Sequence, residues 1–532
     1  MEKDAMFPRF LTGCIAAFGL AAAALAAPAD AQSLRMGLGA PITTLDPHFY
    51  NTSPNNVAAF HVFDRLSQRS PEGRVLPGLA TEWHPISDTT WEFTLREGVT
   101  WHDGRPFTAE DVAFTLERAK NVPNNLGGFE SLLRPISKIE ILSPHKVRLT
   151  TATPTPNLPG DLSFIAIVSA HVGRNATTAD YNAGRASIGT GPYRFVSFTS
   201  GERLVLARND AWWGPKPEWE NVTVRIVTNI AARTATLLAG DLDMVEAPSA
   251  SDLPRLRGDG RVSVFAVPGG RVAYVNPIYQ QGEGAEPITD REGKPLASNP
   301  LRILKVRQAL SMAINREAIA ERVLMGTGVA TGQWLPPGSY SYANDIPVPK
   351  YDPAAAKALL AEAGFPNGFR ITLSTANDRT AYAVEIVQAI AQMWSRIGVE
   401  TQVEGIPFAV YSPRGARRQF QAYFGSLGNP SMEAGLLLRN LLMTVNPETG
   451  AGTYNWSRYS NAALDEQIAK ALSTVDDAAR ERLLIQAEHM ALSDVAFLPI
   501  YQFQNIWAVR KGLRYEARAD ELSFAMGVHS VR

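Results

Sequence analysis

Residues 79–120 read LATEWHPISDTTWEFTLREGVTWHDGRPFTAEDVAFTLERAK, and this stretch decides the fold class. Trp91, Phe93 and Leu95 alternate with Glu92, Thr94 and Arg96, the period-2 pattern of a half-buried strand. Gly98 to Pro106 is a turn-rich connection. Thr108 is a good N-cap, and Glu110 and Asp111 complement the first turn of the helix it starts. Val112, Ala113, Leu116 and Ala119 form that helix's apolar face. Strand and helix continue to alternate outward from this block, without repeats or low-complexity tracts. The expected class is α/β or mixed α+β.

Upstream, Arg9 precedes an apolar run from Leu11 to Ala27, and Ala29-Asp30-Ala31 offers a small-x-small cleavage site before Gln32. The run is too short and Ala-rich for a membrane span and no stop-transfer charge follows it, so residues 1–31 read as a cleavable export signal. The only cysteine, Cys14, falls inside this signal. Leu11-Thr12-Gly13-Cys14 looks like a lipoprotein box but precedes most of the apolar region, which argues against lipid anchoring. The exported chain then has no disulfide and no thiolate, so its stability must come from core burial.

A chain of 532 residues is too long for one core and predicts at least two lobes. Cleavage removes Lys3 and Arg9 from 51 basic residues and Glu2, Asp4 and Asp30 from 52 acidic ones, leaving 49 of each. A neutral chain has no concentrated basic surface, so nucleic acid is not an expected partner. No flexible linker divides the chain, which favours discontinuous lobes.

Further along, Ser33–Leu38, Val262–Val267, Val272–Val275 and Val399–Val403 read as strands. Ala231–Ala239 reads as a helix stopped by Gly240. Asp352 caps a helix opened by Pro353, and Ala383 to Ile397 is amphipathic and closed by Gly398.

Enzyme patterns fail on context. Ser143-Pro144-His145-Lys146 fits S-x-x-K but lies between two strand-like runs, so it reads as a hairpin turn. There is no G-x-S-x-G, H-E-x-x-H or Walker loop. His102 beside Asp103 has no partner at ligand spacing and reads as a turn or surface residue. Asp241 and Asp243 punctuate a helix-to-strand turn, and Trp212-Trp213 reads as packing. No catalytic residue, metal site or cofactor is expected.

The Leu79–Lys120 block resembles the signature of the extracellular solute-binding proteins of family 5, the peptide, nickel and oligosaccharide receptors of bacterial ABC importers. Further matches follow in the family's order: Leu45-Asp46-Pro47-His48, Gly189-Thr190-Gly191-Pro192-Tyr193, Gly240-Asp241-Leu242-Asp243, Val306-Arg307-Gln308-Ala309-Leu310 with Ala313-Ile314-Asn315-Arg316, and Ala356 to Gly364. The resemblance implies a two-lobed α/β periplasmic binding protein of type II, with an extra subdomain in the first lobe. It implies a first-lobe core of residues 32–60, 189–270 and 490–532, an extra subdomain of 61–188 and a second lobe of 271–489. The implied function is capture of a small peptide or peptide-like organic solute by lobe closure, without chemistry, and delivery to an inner-membrane ABC permease. A monomer in the periplasm is expected. The alternatives are a non-peptide solute (an opine-like compound, an oligosaccharide or a nickel chelate), a sensory receptor of the same fold, and, much less favoured, a secreted hydrolase.

Local alignment with the family implies Asn51, Ser53, Glu246, Arg271, Phe408, Arg414, Asn429 and Tyr501 as ligand-binding residues. Arg271 would clamp a carboxylate with its fork of donors. One departure bears on the ligand. Peptide-binding members typically carry Trp-x-x-Asp in the second lobe, where the aspartate holds the peptide's amino terminus. Here the stretch is Phe424-Gly425-Ser426-Leu427-Gly428-Asn429-Pro430, with neither residue. A buried ammonium without a carboxylate partner is costly. The resemblance therefore implies weak binding of simple free-amino peptides, and either a non-peptide solute or a peptide held differently.

Overall fold

The computed structural model describes residues 32–282 and 286–531; the export signal lies outside the described residues. Two long antiparallel strands, Val262–Pro277 and Leu498–Arg510, carry the chain between two halves of one 11-stranded sheet. On one side of this pair stand Met244–Glu246, Ser33–Leu38, Asn221–Ile226, Arg203–Arg208 and Tyr193–Thr199, in that order. On the other stand Ala422–Gly428, Phe369–Ala376 and Val399–Ile406. The short strand Gly328–Ala330 also pairs with Leu498–Arg510.

The sequence reading expects two strands where Val262–Pro277 is one. The structure explains both views. Val262–Pro268 pairs with Arg510–Gln504, Val272–Val275 pairs with Gln502–Leu498, and the register slips between Pro268 and Val272. Gly269 and Gly270 occupy the slip. A Cβ on Gly270 would lie 2.8 Å from the Asn429 carbonyl oxygen, so only glycine fits this close approach. The chain returns to the first lobe inside Leu498–Arg510: Ala491, Ala496 and Phe497 pack in a second-lobe core, whereas Trp507 and Val509 pack in the first.

The deciding block builds a separate four-stranded antiparallel sheet, ordered Ala80–Ser87, Thr90–Leu95, Lys146–Thr151, Ile136–Ser143. Trp91, Phe93 and Leu95 are buried with Trp101, Phe107, Val112 and Leu116 of the helix side. The helix Ala109–Lys120 begins after Thr108, whose backbone N–H donates to the Asp111 carboxylate at 2.9 Å. Asp111 also accepts from the Ala170 backbone N–H at 2.7 Å, which ties the block to the following segment. Ser143 and Lys146 close a hairpin, as expected. His102 is bound rather than free: its ring meets the Gly189 N–H at 3.2 Å and the Gly191 carbonyl at 3.1 Å. Burial pulls its pKa down to about 4, so it stands as a neutral structural bridge. Asp243 is buried and held by the fork of Arg35, which joins two neighbouring strands. Trp212 and Trp213 both donate to buried Asp64, in keeping with packing.

The second lobe has two cores. One packs the helices Leu304–Met312, Pro353–Glu362 and Ala383–Arg396 on the sheet. The other gathers Leu437, Leu441, Leu464, Ile468, Leu484 and Phe497. Inside the latter, Glu488 is fully buried and neither carboxyl oxygen has a well-formed hydrogen bond among the described residues. Burial, opposed by the nearby Trp334 backbone N–H and aided by Asp345, pushes its pKa well above the carboxylate range. The unfolded carboxyl ionises near about 4.3. Its folded proton is therefore favourable below that pH, and the contribution is lost as pH rises toward the raised folded value. Glu488→Met should stabilise the second lobe by about 1–3 kcal/mol at pH 8, with a smaller gain at pH 4. Melting curves at the two pH values check the sign; a gain larger at pH 4 would refute it.

Candidate ligand cleft

Three adjoining cavities lie where the crossing strands join the lobes. The second-lobe chamber, about 640 Å³, is lined by Arg271, Tyr274, Arg379, Phe408, Tyr411, Tyr423, Trp456 and Phe503 among others. The first-lobe chamber, about 650 Å³, is lined by Ser53, Glu246, Tyr501, Phe503, Gln504, Trp507 and Glu521 among others. A third, about 490 Å³, runs past Asn51, Ser53, Arg65, Arg69, Arg271, Asn429 and Glu521. The first two share Ala381 and Phe503, the second and third share Ser53 and Glu521, and the first and third share Arg271 and Gly428. They form one cleft.

Local structure sets the key side chains. Arg271 follows the Gly269-Gly270 slip and pairs in register with Gly428. A Cβ on Gly428 would stand 3.1 Å from the Arg271 guanidinium, so the glycine leaves it room. Arg271 faces the Phe503 ring at 5.9 Å and makes no hydrogen bond or close ion pair among the described residues. Arg379, in the connection between Phe369–Ala376 and Ala383–Arg396, lies 4.9 Å over the Phe408 ring. Phe408 itself opens the helix Phe408–Ala416, and its backbone N–H donates to Asp378 at 2.8 Å. Glu246 ends the strand Met244–Glu246 and accepts from the Gly39 N–H at 2.9 Å and the Ser523 hydroxyl at 2.7 Å. Burial raises its pKa. Glu521 sits at φ +67, a strained setting for a residue with a side chain. Protein crowded around the exposed Glu521 carboxyl raises its pKa, while Arg271 pulls it down. Tyr501 is fully buried, its hydroxyl lacks a partner among the described residues, and its ring lies 4.9 Å from that of Phe503.

Seven of the eight residues singled out in the sequence line the cleft: Asn51, Ser53, Glu246, Arg271, Phe408, Asn429 and Tyr501. Arg414 is the correction. It donates to Glu404 at 2.7 Å and to the Gln419 carbonyl at 3.1 Å, so its charge is spent inside the second lobe, away from the chambers. Asn429 borders the third chamber, but its amide donates to the Glu433 carbonyl and accepts from the Ser431 hydroxyl, which leaves little for a ligand. Arg379, Phe503 and Glu521 escaped the sequence reading. Phe503 is legible only as a strand residue, and Arg379 and Glu521 sit in connections with no motif.

Among the described residues no group of histidine, cysteine or carboxylate side chains is arranged to hold a metal ion, and no helix is long and apolar enough to cross a membrane. Two α/β lobes hinged on crossing strands over a cleft define a class of protein that closes on a solute. Residues 74–446 match the profile of the bacterial extracellular solute-binding proteins, family 5 (middle region), and the chain belongs to that family. The dipeptide-binding protein of Escherichia coli (strain K12) is 28% identical over 446 residues, 78% of each chain. The di/tripeptide-binding protein 1 of Pseudomonas aeruginosa (strain UCBPP-PA14) is 29% identical over 493 residues, 86% of each. The structure of HbpA2 from Haemophilus parasuis superposes with a TM-score of 0.81 at 22% identity, over 94% of this chain and 100% of that one. These findings establish the family and the two-lobed fold.

Proposed function

We propose that this chain is the periplasmic substrate-binding protein of an ABC importer, exported by its N-terminal signal, and that it captures a small peptide or peptide-like organic solute. The observation that carries the reading is the cleft of joined chambers at the crossing strands, in a family whose named relatives bind dipeptides and tripeptides. The protein acts as a monomer, binds no nucleic acid and changes no bond in its ligand. Closure stabilises the ligand-bound form through contacts that both lobes make at once, and this form docks on the permease. The first-lobe core is proposed as 32–60, 189–270 and 490–532, the extra subdomain as 61–188, and the second lobe as 271–489.

A thermal-shift screen against di- to pentapeptides, opines, oligosaccharides and nickel chelates tests the reading. Ligand at about 100 times Kd should add about 2.7 kcal/mol of stability. At least one peptide should give a saturable shift, with a smaller radius of gyration by scattering. A compound consumed catalytically, with no compaction by any compound, would overturn the binding-protein reading.

A further inference from the structure

Resting on the solute-binding reading above, we propose that the cleft holds an amphoteric ligand in one direction, its carboxylate at Arg271 and Arg379 in the second-lobe chamber and its ammonium at Glu521 and Glu246 in the first. Within these two chambers the charges are segregated, and in the third cavity the two ends meet, with Arg271 and Glu521 on one lining. The second-lobe chamber is lined by two arginines and no carboxylate, and the first-lobe chamber by two glutamates and no lysine or arginine. They meet at Phe503 and Ala381.

The charged groups are free to act. Arg271, Arg379 and Glu521 make no hydrogen bond or close ion pair among the described residues. Glu246 is tethered by Gly39 and Ser523 and adds negative charge beside Glu521. The unpartnered, fully buried Tyr501 hydroxyl at the first-lobe chamber is a second, independent sign of a missing polar partner. Desolvation on closure strengthens each charge contact. Phe408, Tyr411 and Trp456 in the second-lobe chamber offer aromatic faces to a flat group beside the ligand's carboxylate.

This arrangement answers the missing second-lobe aspartate. An ammonium enclosed by the closing lobes needs a carboxylate partner, and the first lobe supplies two, Glu246 and Glu521. Free-amino peptides, which the sequence implies as weak ligands, become good ligands in this polarity.

The probes are the tripeptide Ala-Ala-Phe, its N-acetyl form, its C-terminal amide and the reversed Phe-Ala-Ala, titrated calorimetrically into the full exported chain. Each blocked form and the reversed tripeptide should bind about tenfold or more weakly than Ala-Ala-Phe. Glu521→Gln should weaken Ala-Ala-Phe and leave the N-acetyl form unchanged. Arg379→Gln should weaken Ala-Ala-Phe and leave the amide unchanged. Both side chains are exposed in the cleft, so unchanged melting temperatures confirm that the variants fold. Equal affinity for all four probes, equal losses for free and blocked forms, or no binding of any probe overturns the polarity. If another solute of the screening panel still closes the lobes, the receptor reading stands without it. If nothing in the panel binds, both fall.

Discussion

Arg271→Gln is expected to weaken ligand binding by about tenfold to a hundredfold while leaving the melting temperature of the ligand-free protein nearly unchanged. A hydrogen bond to a charged group contributes about 1.5–3 kcal/mol, and each 1.4 kcal/mol is a factor of ten in affinity. Arg271 borders both the second-lobe chamber and the third cavity, and among the described residues none accepts a hydrogen bond from its guanidinium. Its contribution to the ligand-free fold is therefore small and its contribution to the complex large. Arg271→Lys should recover only part of the loss, because an ammonium keeps the charge but not the planar fork. Calorimetric titration and thermal melting separate the two effects. Unchanged affinity in Arg271→Gln would remove this residue from the ligand site.

Glu433→Ala should destabilise the second lobe by about 3–5 kcal/mol, the cost of leaving a buried charge without its partner. Glu433 and Arg480 are 5% and 3% exposed, and Arg480 donates to the Glu433 carboxylate. The Tyr340 ring at 5.3 Å is a weak substitute, and the buried Asp161 carboxyl, which also feels Arg480, replaces only part of the lost charge. The pair replaced together by Leu and Met should recover most of the loss, since the desolvation cost then disappears from both sides. Urea midpoints of the single and double variants give the comparison. A single variant as stable as the parent would show that water reaches Arg480.

Much of the fold is local chemistry and therefore legible. Thr108, Asp352 and Gly240 mark helix ends by side-chain or backbone geometry that needs no distant partner: Asp352 accepts from Ala355 at 3.0 Å, and Gly240 ends its helix at φ +81. The alternation of Trp91, Phe93 and Leu95 carries its burial directly, and all three are at most 4% exposed. The gap between Val267 and Val272 is the instructive failure. Its local signal is Pro-Gly-Gly, which reads as a break. The chain runs on as one strand because Leu498–Arg510 pairs with both halves in shifted registers. That partner lies more than two hundred residues away, beyond any window of sequence.

The candidate cleft residues divide the same way. Arg271 and Glu246 are reached through neighbouring family motifs. Arg414 is on a segment that does approach the cleft, yet Glu404 captures it, and nothing in the chain order announces that pairing. Glu521 has no motif around it. It matters because the C-terminal segment folds back under the crossing strands, where the Ala519 carbonyl accepts from the Gly270 N–H at 3.1 Å.

The chain alone thus determined the α/β class, the need for at least two lobes and the absence of enzyme motifs, since these follow from periodicity, caps and length, and its long ordered signature carried the resemblance that implied a hinge. Only the tertiary structure decided which charges remain unpaired and where they face one another. Free charge is what remains after every ion pair and backbone contact has formed, and those partners are set by the packed lobes.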